Sequence, residues 1–229
     1  MKKLFSYFSV FEWILWLSSV AAILLSFFLC GEFYPLTLVA ALLGVTALIF
    51  IAKGNVIGQF IMIVFCLIYG LISYTFRYYG EMITYIFMSL PAAIFACISW
   101  LNNPSKKGAR EVKVDEMTKG KWIWAAVLSV VTTVIFYFIL KHFDTENLFF
   151  STISVSTSVL AATLLFFRSP YYALGYAAND IVLIILWILA AVESLSYLPM
   201  VVCFVAFLCN DTYGFINWKR MQKRQAEEA

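Results

Sequence analysis

Polar and aromatic side chains recur at helical spacing inside the most apolar stretches of this chain. One such stretch carries Asn55, Gln59, Cys66, Tyr69 and Ser73. Residues separated by three, four or seven positions share one face of a helix. Amides, hydroxyls and a phenol on one face could therefore hydrogen bond a polar ligand along the whole length of that helix.

Two later apolar stretches carry similar faces, each with a carboxylate. The first comprises Tyr176, Asn179, Asp180 and Trp187. The second comprises Asn210, Tyr213, Gly214 and Asn217, with Asp211 beside it. Lysine and arginine are almost absent from these stretches, so an acid there requires water, a proton or a positively charged ligand. Trp187 and the tyrosines could stack on a flat, cationic ring.

Each of these polar groups also has an interpretation without a ligand. Amides inside membrane helices commonly join neighbouring helices. The two aspartates lie near predicted helix ends, where water could solvate them. Aromatic residues at the ends of spans commonly anchor a helix at the membrane interface. The sequence leaves these alternatives open.

The composition places these faces in a membrane. Of 229 residues, 63% are hydrophobic and 13% are charged, whereas soluble domains carry about a quarter charged residues. A helix needs about 20 apolar residues to cross a bilayer. Eight stretches satisfy this, which predicts an all-α integral membrane protein with spans at 11–30, 36–52, 56–76, 82–100, 122–140, 148–167, 171–192 and 196–216.

The distribution of basic residues supports the count of eight. With eight spans, fourteen of the 16 lysines and arginines lie on the side of the two termini. Only Arg77 and Lys141 lie on the other side. Because basic loops stay in the cytoplasm, we expect both termini to be cytoplasmic. The basic segment 101–121 would also meet anionic lipid.

Similar endings suggest an internal repeat. Ile98-Ser99-Trp100 ends the fourth span, and Ile216-Asn217-Trp218 ends the eighth. We expect two three-helix repeats in parallel orientation, as in SWEET transporters. The predicted parts are an N-terminal helix (1–35), the first repeat (36–100), a basic loop with a connector helix (101–147), the second repeat (148–218) and a cytoplasmic tail (219–229).

Motifs for other kinds of chemistry are missing from the sequence. It has no phosphate-binding loop, no Ser-His-Asp or H-E-x-x-H arrangement, and a single histidine, His142. The five cysteines form no C-x-x-C pair. We therefore predict neither an enzyme nor a metal or cofactor site, and we expect no nucleic acid partner.

Several stretches resemble the PnuC family of bacterial vitamin transporters. They are Gly58-Gln59 and the residues after it, Tyr79-Gly80-Glu81-Met82, the run from Asn179-Asp180 to Trp187, and the run from Asn210-Asp211 to Trp218-Lys-Arg. The resemblance implies facilitated diffusion of nicotinamide riboside across the bacterial inner membrane by a homotrimer. It implicates Gln59, Asn179, Trp187 and Asn210 as substrate contacts. With the residues of the polar faces, the candidate substrate-binding set becomes Gln59, Asn179, Asp180, Trp187, Asn210, Asp211, Tyr213, Asn55 and Tyr69.

One departure from the family pattern leaves the substrate open. Members that carry nicotinamide riboside have W-x-x-W before the seventh-span asparagine, whereas this chain has Tyr172 and Gly175 at the corresponding positions. Relatives carry thiamine, riboflavin or (deoxy)nucleosides, which remain alternatives. A membrane subunit of a larger importer, without transport activity of its own, is an alternative from another class.

Overall fold

The described part of the chain forms eight helices that are long and apolar enough to cross a membrane. The structure is a computed structural model that describes residues 7–30, 35–75, 79–106, 109–145 and 147–228, and only the backbone of 79–81. Each predicted span falls on one helix, which confirms the predicted fold class. Arg77 and the motif side chains at 79–81 lie outside the described part.

The helices are numbered α1 to α8 in chain order. α4 is composite, with α-helical parts at Tyr79–Thr84 and Leu90–Leu101 and a π-helical turn at Tyr85–Ser89 between them. A short 3-10 turn, Leu195–Tyr197, precedes α8. The other helices are α1 (Val10–Leu29), α2 (Pro35–Ala52), α3 (Ile57–Thr75), α5 (Lys119–His142), α6 (Leu148–Phe166), α7 (Tyr172–Glu193) and α8 (Leu198–Glu227).

The π-helical turn of α4 lies immediately before a proline. Pro91 has no N–H to donate, and its ring crowds the preceding turn of an α-helix. The N–H of Leu90 instead donates to the carbonyl of Tyr85, five residues earlier. Such single π turns occur frequently at functional sites.

α6 and α7 pack closely through small residues. A Cβ atom added to Gly175 would lie 2.9 Å from both Cα and Cβ of Ala161. Small residues of this kind allow membrane helices to approach closely. A tryptophan at position 175 would have no room in this packing.

Two turns at one end of the bundle have the same hydrogen-bonding pattern. After α2, Gly54 donates to Ile51 and Asn55 to Phe50; after α6, Arg168 donates to Leu165 and Ser169 to Leu164. Gly54 and Arg168 both have positive φ, at 63° and 57°. Asn55 Oδ1 accepts from the N–H of Ile57, as Ser169 Oγ accepts from that of Tyr171.

The tryptophans of the two predicted repeat endings connect these turns crosswise. Trp100 Nε1 donates to the carbonyl of Leu165 at 3.2 Å, and Trp218 Nε1 donates to that of Ile51 at 2.9 Å. The preceding residues also correspond, since Ser99 donates to Phe166 and Asn217 to Ala52. The two indole rings lie 5.4 Å apart. We call this buried layer, with Tyr172 against Trp218, the tryptophan seam.

The segment 102–118, which we call the strap, joins both turns outside the seam. The N–H of Val112 donates to the carbonyl of Gly54 at 2.9 Å, and that of Asp115 donates to Arg168 at 3.1 Å. Asp115 also pairs with Lys121 and Arg168. Burial alone would raise the pKa of Asp115, but the hydrogen bond and charge of Lys121 and the charge of Arg168 outweigh it and lower that pKa.

α8 continues well beyond the predicted end of the second repeat. Residues assigned to a cytoplasmic tail, 219–229, are helical as far as Glu227. Met221 is buried beside Gly54, and Gln225 hydrogen bonds the backbone of Val112 and Val114. The extra turns are therefore held by contacts with the strap, which the local sequence could not reveal.

Candidate functional site

Two adjoining cavities lie between the helices. The outer cavity has a volume of about 420 Å³ and reaches the α5–α6 and α7–α8 connections, at the end opposite the strap. The inner cavity, of about 110 Å³, lies deeper, towards the tryptophan seam. The two cavities share six lining residues, so they lie side by side: Tyr85, Ser89, Ser158, Asn179, Leu183 and Phe204.

The inner cavity gathers four of the predicted binding residues from three helices. Gln59 comes from α3, Asn179 and Asp180 from α7, and Asp211 from α8. All four are buried, with exposed fractions of 0%, 6%, 3% and 4%. Helical periodicity places each on an inward face, and helix packing brings the three faces together.

Gln59 has an unsatisfied amide. Its side chain is fully buried, and neither its Oε1 nor its Nε2 atom has a hydrogen bond partner within the described residues. A buried amide without partners costs about 1–3 kcal/mol. A ligand or water in the inner cavity would satisfy both atoms, as expected of a binding group.

Asn179 is held in position by the neighbouring helix α6. Ser154 Oγ donates to Asn179 Oδ1 at 3.0 Å. Thr157 Oγ1 lies 2.9 Å from the same oxygen and 3.0 Å from the carbonyls of Ile153 and Ser154, which share its single hydrogen. Both hydroxyls face the same oxygen, so they fix the orientation of the amide and direct its nitrogen as the donor. The site is thereby prearranged before any ligand binds.

Asp180 and Asp211 form a pair of acids in the same cavity. Both side chains line the inner cavity and both are almost fully buried. Asp180 Oδ2 has no partner among the described residues. The aspartates are thus buried in the bundle, which excludes the interpretation of solvated acids at helix ends.

Aromatic rings line the outer cavity. Tyr69 and Tyr85 have ring centroids 4.3 Å apart, and Trp187 lies 5.7 Å from Tyr197. All four residues line this cavity. Flat rings that meet a cavity can stack on an aromatic ligand, with an additional gain if its ring is positively charged.

The charges that line the cavities have one sign. Asp144 and Glu193 line the outer cavity, and Asp180 and Asp211 line the inner one. Neither lining includes a lysine, arginine or histidine from the described ranges. A cleft with acidic walls of low dielectric concentrates cations.

Three predicted residues lie outside both cavities. Asn55 caps the turn before α3 and donates to Tyr7 at 2.7 Å. Asn210 Nδ2 donates to Ser19 Oγ and to the carbonyl of Ala206. Tyr213 donates to Glu12 at 2.6 Å. The structure gives each of them contacts within the protein.

Glu12 and the residues around α4 are features that the sequence analysis missed. Glu12 is buried at the start of α1, where it caps the helix with Ser9 and pairs with Lys53 at 3.0 Å. Tyr85 and Ser89 face both cavities from the π turn. Pro91 within a predicted span was the available signal for that turn.

This chain is similar over most of its length to known transport proteins. The family described as Nicotinamide mononucleotide transporter matches residues 34–220. The nicotinamide riboside transporter PnuC of Neisseria mucosa is 28% identical over 232 aligned positions, which cover 98% of this chain and 87% of that protein. The protein of the same name from Haemophilus influenzae is 23% identical over 190 positions, covering 82% and 81%.

A solved structure shares the fold. The crystal structure of the vitamin B3 transporter PnuC matches with a TM-score of 0.79 at 26% identity, over 95% of this chain and 94% of that one. The match extends from α1 to α8 and includes the helices that form the cavities. The chain therefore belongs to the nicotinamide mononucleotide transporter family, as its resemblance to PnuC predicted, and is a membrane transporter and not an enzyme.

Proposed function

We propose that this protein transports nicotinamide riboside, or a closely related cationic vitamin, by facilitated diffusion. The observation that carries the proposal is the cavity itself, whose described lining combines four acids with an unsatisfied amide and no basic residue. Nicotinamide riboside offers a carboxamide, a cationic pyridinium ring and ribose hydroxyls. Each of these groups has a chemical complement in the cavity.

The carboxamide and the ring have separate complements. A carboxamide has both donors and an acceptor, which match Gln59 and the oriented amide nitrogen of Asn179. The pyridinium ring is flat and positive, so the aromatic rings of Tyr85 and Trp187 and the acidic pair both favour it. The ribose hydroxyls could bond Ser89, Ser158 or Asp180.

Absence of basic residues disfavours a mononucleotide as the substrate. A phosphate group carries one to two negative charges, and proteins bind it through arginine, lysine or helix N-termini. The charged side chains in the described lining are all acidic, and they would repel a phosphate group. We therefore propose that the substrate is the riboside, despite the mononucleotide in the description of the family.

Thiamine is the second candidate, because it also carries a positively charged ring. The glycine at 175, where the second tryptophan of W-x-x-W is missing, supports keeping this alternative. Riboflavin and the deoxynucleosides are uncharged, so the acidic lining gives them no comparable advantage.

Alternating access would explain how one cavity serves both sides. The cavities reach the end opposite the strap, whereas the tryptophan seam and the strap cover the other end. We propose that two three-helix units rock about the inner cavity. The crosswise bonds of Trp100 and Trp218 support this division, since each joins the last helix of one unit to the first helix of the other.

The same proposal includes orientation and assembly. Fourteen of 16 basic residues lie on the strap side of eight spans, which supports an inner-membrane protein with cytoplasmic termini. The open cavity would then face outward. We propose a homotrimer, as the family resemblance implies.

Transport by the purified protein in liposomes tests the function directly. Labelled nicotinamide riboside should enter, and unlabelled nicotinamide riboside or thiamine should compete more strongly than riboflavin, deoxyadenosine or nicotinamide mononucleotide. Gln59→Ala should lose this uptake, whereas Gln222→Ala, on the far part of α8, should retain it. Uptake that requires an added ATPase would instead support the importer-subunit alternative.

A further inference from the structure

The acidic pair of the inner cavity should hold a proton when no cation is present. An ionised carboxylate needs water or a positive charge beside it, so two carboxyl groups buried together without a cation favour a state in which at least one is protonated. Asp180 and Asp211 line the same inner cavity and are almost fully buried, and its described lining holds no lysine, arginine or histidine. Two ionised carboxylates in such a place would repel each other without compensation.

The groups around the pair supply no positive charge. The titratable side chains that face it are Tyr172 and Tyr176 from α7, Cys66 from α3, and Cys203 and Cys209 from α8. Phenols and thiols are neutral at pH 7 in water. α4 and α6 contribute Tyr85 and Ser158, and α2 contributes Leu48 and Ile51. Two other acids, Asp144 and Glu193, line the outer cavity.

A second observation shows that this place is built for a ligand. Gln59 lines the same inner cavity, is completely buried, and has no partner for either polar atom of its amide within the described chain. Asp180 Oδ2 is unpartnered as well. A cationic ligand with hydrogen-bonding groups would satisfy both the amide and the free carboxyl oxygen.

We propose that Asp180 and Asp211 exchange one proton for the positive charge of the bound substrate. When the cation binds, one carboxyl group of the pair loses its proton to the water of the outer cavity and becomes a carboxylate. One positive charge replaces another, so the net charge of the buried site does not change. This inference rests on the proposed function, because it requires a cationic substrate.

The exchange makes binding depend on pH. Where the empty pair holds the proton, the affinity for the cation rises with pH by up to about tenfold per pH unit, as linkage requires for one released proton. An uncharged ligand of the same shape does not displace the proton, so its affinity stays constant across that range.

Calorimetry in buffers with different ionisation enthalpies measures the released protons directly. At one pH, the purified protein is titrated with nicotinamide riboside, with its uncharged dihydro form, and with thiamine. We expect release of up to one proton for each bound cation and none for the dihydro form. Asp180→Asn and Asp211→Asn should abolish the release, whereas Glu116→Gln, an exposed acid in the strap, should leave it unchanged.

The possible failures are distinguishable. Binding of nicotinamide riboside with the same heat in every buffer, or equal proton release with the dihydro form, would overturn the exchange while leaving the proposed function in place. No binding of either cation would overturn both. The buffer comparison on the unaltered protein decides the matter even if an aspartate variant fails to fold.

Discussion

The inner cavity and the tryptophan seam are both buried and both contain polar side chains, yet the hydrogen bonding of those side chains differs. In the seam, Trp100, Trp218, Ser99 and Asn217 each donate to a backbone carbonyl. In the cavity, Gln59 and Asp180 retain polar atoms without partners in the described chain. Buried polar groups are normally satisfied. The satisfied groups of the seam therefore stabilise the fold, whereas the unsatisfied atoms of Gln59 and Asp180 meet a cavity that a ligand can fill.

The largest effect that separates the two regions should come from Asn179→Ala. The variant removes an amide that Ser154 and Thr157 orient towards the ligand, and a lost buried hydrogen bond of this kind costs about 1–3 kcal/mol. We expect affinity for nicotinamide riboside to fall about 10- to 100-fold by calorimetry, with little change in thermal stability. Asn102→Ala, an exposed asparagine after α4, is the matched control. Equal affinities in the two variants would remove Asn179 from the site.

Trp218→Phe should show the reverse behaviour. It removes the bond to Ile51 and leaves a space in the seam, which together should lower stability by about 1–3 kcal/mol. Melting of the detergent-solubilised protein should report this loss, with ligand affinity nearly unchanged. Trp100→Phe should behave alike, because its contacts correspond to those of Trp218. A large loss from only one of the pair would contradict this correspondence.

Gly175→Ala should have a smaller effect on stability. The added methyl group would lie 2.9 Å from the backbone of Ala161, and overpacking costs about 1–3 kcal/mol. The higher helix propensity of alanine stabilises the helix by about 1 kcal/mol and offsets part of that cost. We expect a net loss of about 1 kcal/mol in a melting experiment. Gly120→Ala, where the added atom has ample space, is the control, and a stabilised Gly175→Ala variant would show that α6 and α7 separate easily.

The smallest effect should come from Asp115→Asn in the strap. This carboxylate is partly exposed, and such ion pairs contribute about 0–1 kcal/mol. Because its pKa is lowered in the folded protein, its contribution is present above the ordinary carboxyl pKa and is lost as the pH falls through the lowered value. Melting curves of the variant and the parent should differ slightly at neutral pH and converge in strong acid. A difference that persisted there would contradict the electrostatic origin.

The sequence was sufficient for the membrane fold and for much of the site. Length and hydropathy determine the spans, and helical periodicity brought Gln59, Asn179, Asp180 and Asp211 onto inward faces. The same periodicity cannot distinguish a face that meets a cavity from one that meets another helix. Asn55, Asn210 and Tyr213 therefore satisfied the pattern although the structure gives them protein partners.

Contacts that depend on distant parts of the chain could not be predicted. Glu12 pairs with Lys53 and Tyr213 across long separations in sequence. The strap was interpreted through its charge, whereas its main contacts use backbone atoms that bond two distant turns. Nothing in the local composition of 102–118 encodes those partners.

Because of the π turn, the side chains that α4 presents to the cavity depend on the number of residues in that turn. Successive residues of an α-helix are rotated by about 100° around its axis, because one turn takes 3.6 residues. One extra residue in a single turn therefore offsets the two parts of α4 by about that angle. Tyr85 and Ser89 can then face the same space as the residues after Pro91. Removing one residue at this turn would rotate the two parts against each other and redirect side chains whose identities had not changed.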